Sequence, residues 1–247
     1  LASASRLPAQ EEAGGEEERI ELDPIVVVAG KMRRPLSTIA AQVTVIEAAD
    51  LRRGLAEDLD GALKYEPGLE LETSGTRFGA TGVNIRGIGG NRVAVEIDGL
   101  PVPDQFVIGA YSNAGRVLVE PDRIKRIEVL HGPASVMYGS KALGGVMAIT
   151  TWDPDDLLAS SDGPGAATLR GGYQGMNDSW VASATAALGA GPHGLMAAAT
   201  RRSGHELDNQ APAGTPVDPQ DWDSADYLFR YTWDSAGGNR LRFTADR

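Results

Sequence analysis

The chain has 247 residues, 42% of them hydrophobic, and a formal net charge of −11. That is enough apolar material for one large domain or two ordinary ones, while the acidic balance argues against a nucleic-acid partner, which would call for clustered Lys and Arg. Cysteine is absent, which excludes disulfides, thiolate nucleophiles and Cys-ligated zinc, and no run of about 18 apolar residues offers a transmembrane helix.

The chain opens on Leu1 rather than Met, and Ala2-Ser3-Ala4 resemble the small-residue site that closes a secretory signal. A fragment starting at an arbitrary point fits these residues equally well. Residues 1–22 carry Glu11, Glu12, Glu16, Glu17, Glu18 and Glu21 against Arg6 and Arg19, which predicts a solvated, flexible acidic arm. Asp23-Pro24-Ile25-Val26-Val27-Val28 then breaks the polarity with a β-branched run, read as an extended strand without an obvious partner.

Residues 43–46 read as the first folded strand, and Leu55, Leu59, Ala62 and Leu63 stand at helical spacing before Pro67-Gly68 ends the pattern, so one amphipathic helix is expected over 56–65. Val83 and Ile85 alternate with polar neighbours, as do Val93, Val95 and Ile97 up to the turn pair Asp98-Gly99. Further strands are predicted over 126–130 and 146–151. Helix and strands are therefore interleaved from about 24 to 155, the pattern of an α+β domain with a small mixed sheet and short helices.

Beyond Pro154 the period changes. Leu169 and Tyr173; Trp180, Ala182, Ala184, Ala186 and Leu188; Tyr227, Phe229, Tyr231 and Trp233; and Leu241, Phe243 and Ala245 each recur at every second position, with Arg170, Ser183, Asp226, Arg230, Thr232, Arg242 and Asp246 between them. One apolar and aromatic side set against one charged side is the pattern of transmembrane β-barrel strands, although an antiparallel sheet with one wet face shares it. The Ala197-Ala198-Ala199 stretch is less diagnostic. Residues 160–247 hold about four or five such strands with their loops, fewer than the roughly eight a small barrel needs, so the barrel is incomplete.

Residues 123–151, reading RIKRIEVLHGPASVMYGSKALGGVMAITT, resemble the most characteristic motif of TonB-dependent outer-membrane receptor plugs. Residues 84–102, reading NIRGIGGNRVAVEIDGLPV, resemble the second plug signature, and 23–29 resemble the TonB box. GNRVAVEIDG, EPDRIKRIEV and TWDPDDLL carry a similarity to the haem, haemoglobin and transferrin receptor branch. The resemblance implies an arm over 1–22, a TonB box over 23–30, a plug domain over 31–158 and the first strands of a truncated barrel over 159–247. It implies active transport across the outer membrane of a Gram-negative bacterium, with the plug and arm reached from the periplasm. The partners would be TonB with its inner-membrane motor complex, outer-membrane lipid, and haem, a haem protein or a ferric siderophore as ligand. No permanently bound cofactor is implied.

By the same resemblance Asp23, Pro24, Ile25, Val26, Val27 and Val28 would bind TonB through main-chain groups left free for strand addition, with the acidic arm keeping them accessible. Arg86, Arg92 and Arg126 would pair with acids on the barrel wall. Tyr111, with Gln105 and Asn113, would meet the ligand, Tyr111 being the one residue over 104–116 able to ligate ferric haem where some relatives place a His. His131 stands where the family usually has Arg, which removes a bidentate donor. Catalysis finds no support: Gly87 to Arg92 fail the G-x-G-x-x-G spacing, Asn209 spoils an H-E-x-x-H match after His205-Glu206, and no G-x-S-x-G occurs. Two further possibilities are a soluble module using a plug-like fold, against which the aromatic stripe of 227–233 speaks, and a truncated, non-transporting relative.

Overall fold

The computed structural model describes residues 24–28, 31–54, 59–74, 79–108, 112–114, 119–205 and 221–247. At the start, β1 (Ile25–Val26) pairs antiparallel with β2 (Arg34–Pro35). Next, β3 (Val43–Glu47) runs directly into α1 (Ala48–Arg53), a helix not expected from spacing alone. A capping box fixes its start, with the Asp50 carboxylate accepting the Glu47 N–H. The expected helix over 56–65 is represented by α2 (Leu59–Leu63); 55–58 lie outside the described residues.

Two hairpins follow, β4 (Leu69–Ser74) with β5 (Gly79–Ile85), and β6 (Val93–Ile97) with β7 (Leu100–Pro101). Asp98 and Gly99 turn the second with φ of +50° and +81°, as a tight hairpin of this twist requires. Then come β8 (Phe106–Ile108), β9 (Ser112–Ala114), β10 (Ile124–His131), α3 (Ser135–Tyr138), β11 (Gly145–Thr151) and α4 (Pro154–Leu158).

The first large sheet has the order β3-β10-β11-β6-β7 and is mixed: β11 runs parallel to β6 and the other pairs are antiparallel. One face, with Val93, Val95, Ile127, Val129, Met147 and Ile149, packs under Leu51, Leu59, Leu63 and the β4–β5 hairpin. On the other face Leu130, Ala142 and Val146 cluster with Val28 from the amino-terminal segment. Burial on both faces explains why β10 reads Ile-Glu-Val-Leu rather than alternating.

The second sheet is an antiparallel meander of β12 (Gly165–Gln174), β13 (Ser179–Ala190), β14 (His193–Gly204), β15 (Trp222–Asp234) and β16 (Arg240–Asp246). The alternation seen in the sequence becomes its two faces. Leu169, Tyr173, Trp180, Leu188, Leu195, Tyr227, Phe229, Trp233, Leu241 and Phe243 stand on the outer face, between 38% exposed at Trp233 and 86% at Leu169. Water would penalise so much apolar surface, whereas hydrocarbon accepts it. From Trp180 to Ala190, β13 extends about 33 Å, or about 23 Å at a 45° tilt, close to the roughly 25 Å apolar band of such strands.

The inner face carries Val181, Ala187, Met196, Ala198 and Leu228, and Trp152, Leu157 and Leu158 of the first unit rest on it. The glycines at 189 and 194 permit this approach. A Cβ at Gly194 would lie 2.5 Å from Thr232 Oγ1 and 3.0 Å from Pro154 Cβ, and one at Gly189 would lie 2.8 Å from Leu158 Cδ1. Gly194→Val is therefore expected to lift α4 from the strands at a cost of about 1–3 kcal/mol, read as faster protease cleavage near 154–164.

Candidate functional site

Two constellations stand out, one holding the amino-terminal segment and one joining the mixed sheet to the antiparallel strands. In the first, Glu128 on β10 is buried, with its side chain 4% exposed. Its Oε2 accepts the N–H groups of Val27 at 2.7 Å and Val28 at 2.9 Å. Arg126, two residues earlier on the same face, donates to Ile25 O at 2.6 Å and to Glu128 Oε1 at 3.4 Å, and is itself held by Glu47 Oε1 at 2.8 Å. Tyr138 donates its hydroxyl to Val28 O at 2.8 Å. Burial, with Glu96 and Glu128 nearby, pushes the Tyr138 hydroxyl up to about 12, so it stays a donor. Lys31 spans Glu96 at 3.2 Å and the Tyr138 ring at 4.5 Å.

Val26 and Val28 point inward, 0% and 1% exposed, while Ile25 and Val27 point out. An extended segment with free main-chain groups was expected here, and the structure corrects that. The strand has partners, supplied by side chains of β10 and α3 rather than by a long ladder. Pro24 is exposed and its carbonyl accepts the Leu36 N–H at 2.8 Å; Asp23 lies outside the described residues.

The second constellation is ionic. Glu120-Pro121-Asp122-Arg123, a single turn before β10, reaches all five antiparallel strands. Glu120 accepts from Arg202 at 2.7 Å, and Asp122 from Arg170 and from Ser183 at 2.6 Å. Arg123 donates to Asp226 at 2.6 Å and to Asp246 at 3.4 Å. Burial pushes the Glu120 carboxyl up against the pull of Arg202, and Asp226 and Asp122 add to that push. Nearer the β15–β16 turn, Arg230, its side chain 1% exposed, donates to Asp98 at 2.6 Å, Asp153 at 3.2 Å, Trp152 O at 2.6 Å and Thr244 Oγ1 at 3.1 Å. Arg242 also pairs with Asp153. Burial pushes the Asp98 carboxyl up, but bonds from Thr151 and the Arg230 charge outweigh it and hold it below the usual range.

The sequence-predicted residues fall elsewhere. Arg86 donates to Gln42, Arg92 to Gly89 O at 3.1 Å, and Arg126 to the amino-terminal clasp, so the bonds described for all three lie inside the mixed-sheet unit. Gln105 exchanges main-chain bonds with the Asn91 amide at 2.8 and 2.9 Å. Asn113 lies on β9 opposite Val107, and Tyr111 falls outside the described residues. His131 is buried with Nε2 2.9 Å from Thr44 Oγ1, and burial, then Arg86, hold its pKa below the ordinary value. The seam residues Asp98, Glu120, Asp122, Arg123 and Asp153 were missed, although the inward arginines at alternate strand positions (Arg170, Arg202, Arg230, Arg242) signal acids to meet them.

A mixed-sheet stopper tied by buried ion pairs to strands with an apolar outer face defines a plugged membrane barrel. Residues 35–146 match the family described as TonB-dependent Receptor Plug Domain, and the chain belongs to the TonB-dependent receptors. It is 32% identical over 178 residues to the haemoglobin-haptoglobin utilization protein B of Neisseria meningitidis, covering 68% of this chain and 22% of that protein. Among solved structures, the haemophore receptor HasR of Serratia marcescens superposes with a TM-score of 0.69 at 22% identity, covering 83% of this chain and 31% of that one. The ferric enterobactin receptor of Pseudomonas aeruginosa gives 0.60 at 22% identity, covering 84% and 33%. The chain thus spans about a fifth of the curated relative's length.

Arg230→Ala would take the buried guanidinium from Asp98, which keeps its bonds from Thr151, and leave Asp153 to Arg242 and Arg240, an expected loss of about 3 kcal/mol in denaturant unfolding. Arg230→Lys should recover little of it, because one compact ammonium cannot reach four acceptors spread around a planar fork. The neutral folded state of His131 contributes stability that is present above about pH 6.5 and declines below it, as the unfolded ring takes a proton first. His131→Gln should flatten that part of a pH–stability profile.

Proposed function

We propose that the chain is the plug and first strands of an active transporter in the outer membrane of a Gram-negative bacterium, importing haem or iron from haem proteins. The names of the haemoglobin-haptoglobin and haemophore relatives support the ligand class; the enterobactin receptor's similar fold keeps a ferric siderophore as the second reading. In this account Tyr111, Gln105 and Asn113 remain the proposed ligand contacts, on the segment between β7 and β10. The short turns 191–192 and 235–239 would face the periplasm, the side on which such barrels carry their short turns.

The observation that carries the reading is the amino-terminal segment, an extended β-branched run held by its main chain at the edge of a stopper. An outer membrane has no energy source of its own, so work must arrive from the inner-membrane motor through TonB. Residues 23–28 would pair with a TonB strand by β-augmentation. That pairing uses the same N–H and C=O groups that Glu128, Arg126 and Tyr138 hold, so the clasp opens before the partner strand adds. Once paired, several parallel hydrogen bonds carry load together.

Val26→Pro removes a ladder donor. In the full-length receptor it should abolish uptake and binding of the TonB carboxy-terminal domain while ligand affinity is unchanged; uptake at the wild-type rate contradicts the account. Haem titration should give a shifted Soret band, whereas saturable siderophore binding without haem affinity selects the second reading.

A further inference from the structure

A pull on 24–28 passes through β2 and the stretch 36–42, exposed apart from the half-buried Leu36 and Ile39, before it reaches the mixed sheet, and it arrives at the Val43 end of β3. Strand β3 is an edge strand of that sheet, bonded to β10 on one side, with a ladder running from Val43↔Leu130 to Glu47↔Arg126. Its first bonds are therefore the ones that meet the load. At that end the His131 N–H donates to Gln42 O at 3.0 Å, beyond the last ladder pair. His131 Nε2 meets Thr44 Oγ1 at 2.9 Å, and the Gln42 side chain receives Arg86.

We infer that His131, with Thr44, Gln42 and Arg86, is the first catch of the plug sheet on the path from the TonB-binding segment. This rests on the partner reading above and adds the residue that sets when the sheet begins to open. The imidazole suits the task because it is 6% exposed and its Nδ1 is buried without a hydrogen-bond partner. Thr44 is thus the side-chain partner described for the ring, and breaking that bond leaves both ring nitrogens unpaired in a dry site until water enters. Such a contact resists small displacements and then yields at once. The groups facing the ring are Thr44 and Gln42 from the β3 side, Arg86 from the turn after β5, and Gly145 across from it on β11. Arg86 is the charged one, and its repulsion favours the neutral ring, which can accept the Thr44 hydroxyl proton. His131 is a positioning residue: it acts through β3.

The test is single-molecule pulling of the full-length receptor in a lipid bilayer, with the handle at residue 24. After the clasp opens, freeing β3 through Glu47 should give a discrete step, the chain from 24 to 47 extending by about 80 Å in all. His131→Ala and, as an isosteric check on folding, Thr44→Val should each speed that step roughly tenfold at fixed load, the loss of about one buried hydrogen bond. His131→Gln, which can still accept from Thr44, should stay near wild type. Ligand affinity and binding of the TonB domain should be unchanged in all three. A β3 step no faster than wild type in His131→Ala and Thr44→Val, or one that begins elsewhere in the sheet, overturns the inference. Because the instrument supplies the force, this result is independent of whether TonB binds 23–28, which Val26→Pro decides separately.

Discussion

Arg230 holds a full charge where its side chain is 1% exposed, and it is tolerable there because Asp98, Asp153 and a backbone carbonyl surround its fork. A guanidinium in such a place is costly alone, and so are the two carboxylates; only together are they stable. The strands cannot therefore turn their charged sides inward without a stopper to meet them, and the stopper cannot shed its acids without the strands. The turn 120–123 repeats this at a second level, with acids and a base each answered by a different strand. A seam of this kind is strong in place and cheap to rearrange in water. Each of its members is a well-solvated ion once wetted, so a plug fastened by ion pairs can be freed where one fastened by a dry apolar interface would stick.

The amino-terminal clasp follows a different logic. Glu128, Arg126 and Tyr138 bind main-chain atoms of 25–28, while the two inward valines supply the apolar contact. A receptor for backbone is indifferent to the outward side chains Ile25 and Val27, which remain exposed. Were a partner strand to add there, it would compete for the same hydrogen bonds that dock the segment, and the exchange would cost little net bonding. The segment is stored and yet deliverable. The load path then leads by covalent connection to β3, an edge strand with a single ladder, rather than to the central strands β10 and β11.

Much of this was legible in the residues. The dyad period of 227–233 and 241–245 survives as the two faces of β15 and β16, because lipid on one side and ion pairs on the other impose opposite chemistry on neighbouring positions. Ala197-Ala198-Ala199 was mute because alanine suits either face, yet it forms the centre of β14. The plug strands at 93–97, 126–130 and 146–151 were visible from alternation or apolar runs. The identity of the seam was not. A plug arginine looks the same in sequence whether it meets the barrel strands, as Arg123 does from the turn before β10, or its own sheet, as Arg126 does from within β10. The free state expected of 25–28 failed for a related reason: a buried carboxylate 101 residues beyond Val27 leaves no local mark on the segment it captures.

These 247 residues contain no cysteine, so an engineered pair would supply the only thiols within them. Val28 and Ala142 are buried in one cluster. The most direct measurement is uptake by the full-length receptor carrying Val28→Cys with Ala142→Cys, oxidised and then reduced. The account predicts that the oxidised form binds ligand but transports none, and that reduction restores transport. Transport that continues with the cross-link intact would contradict the claim that this segment must leave its clasp to be pulled.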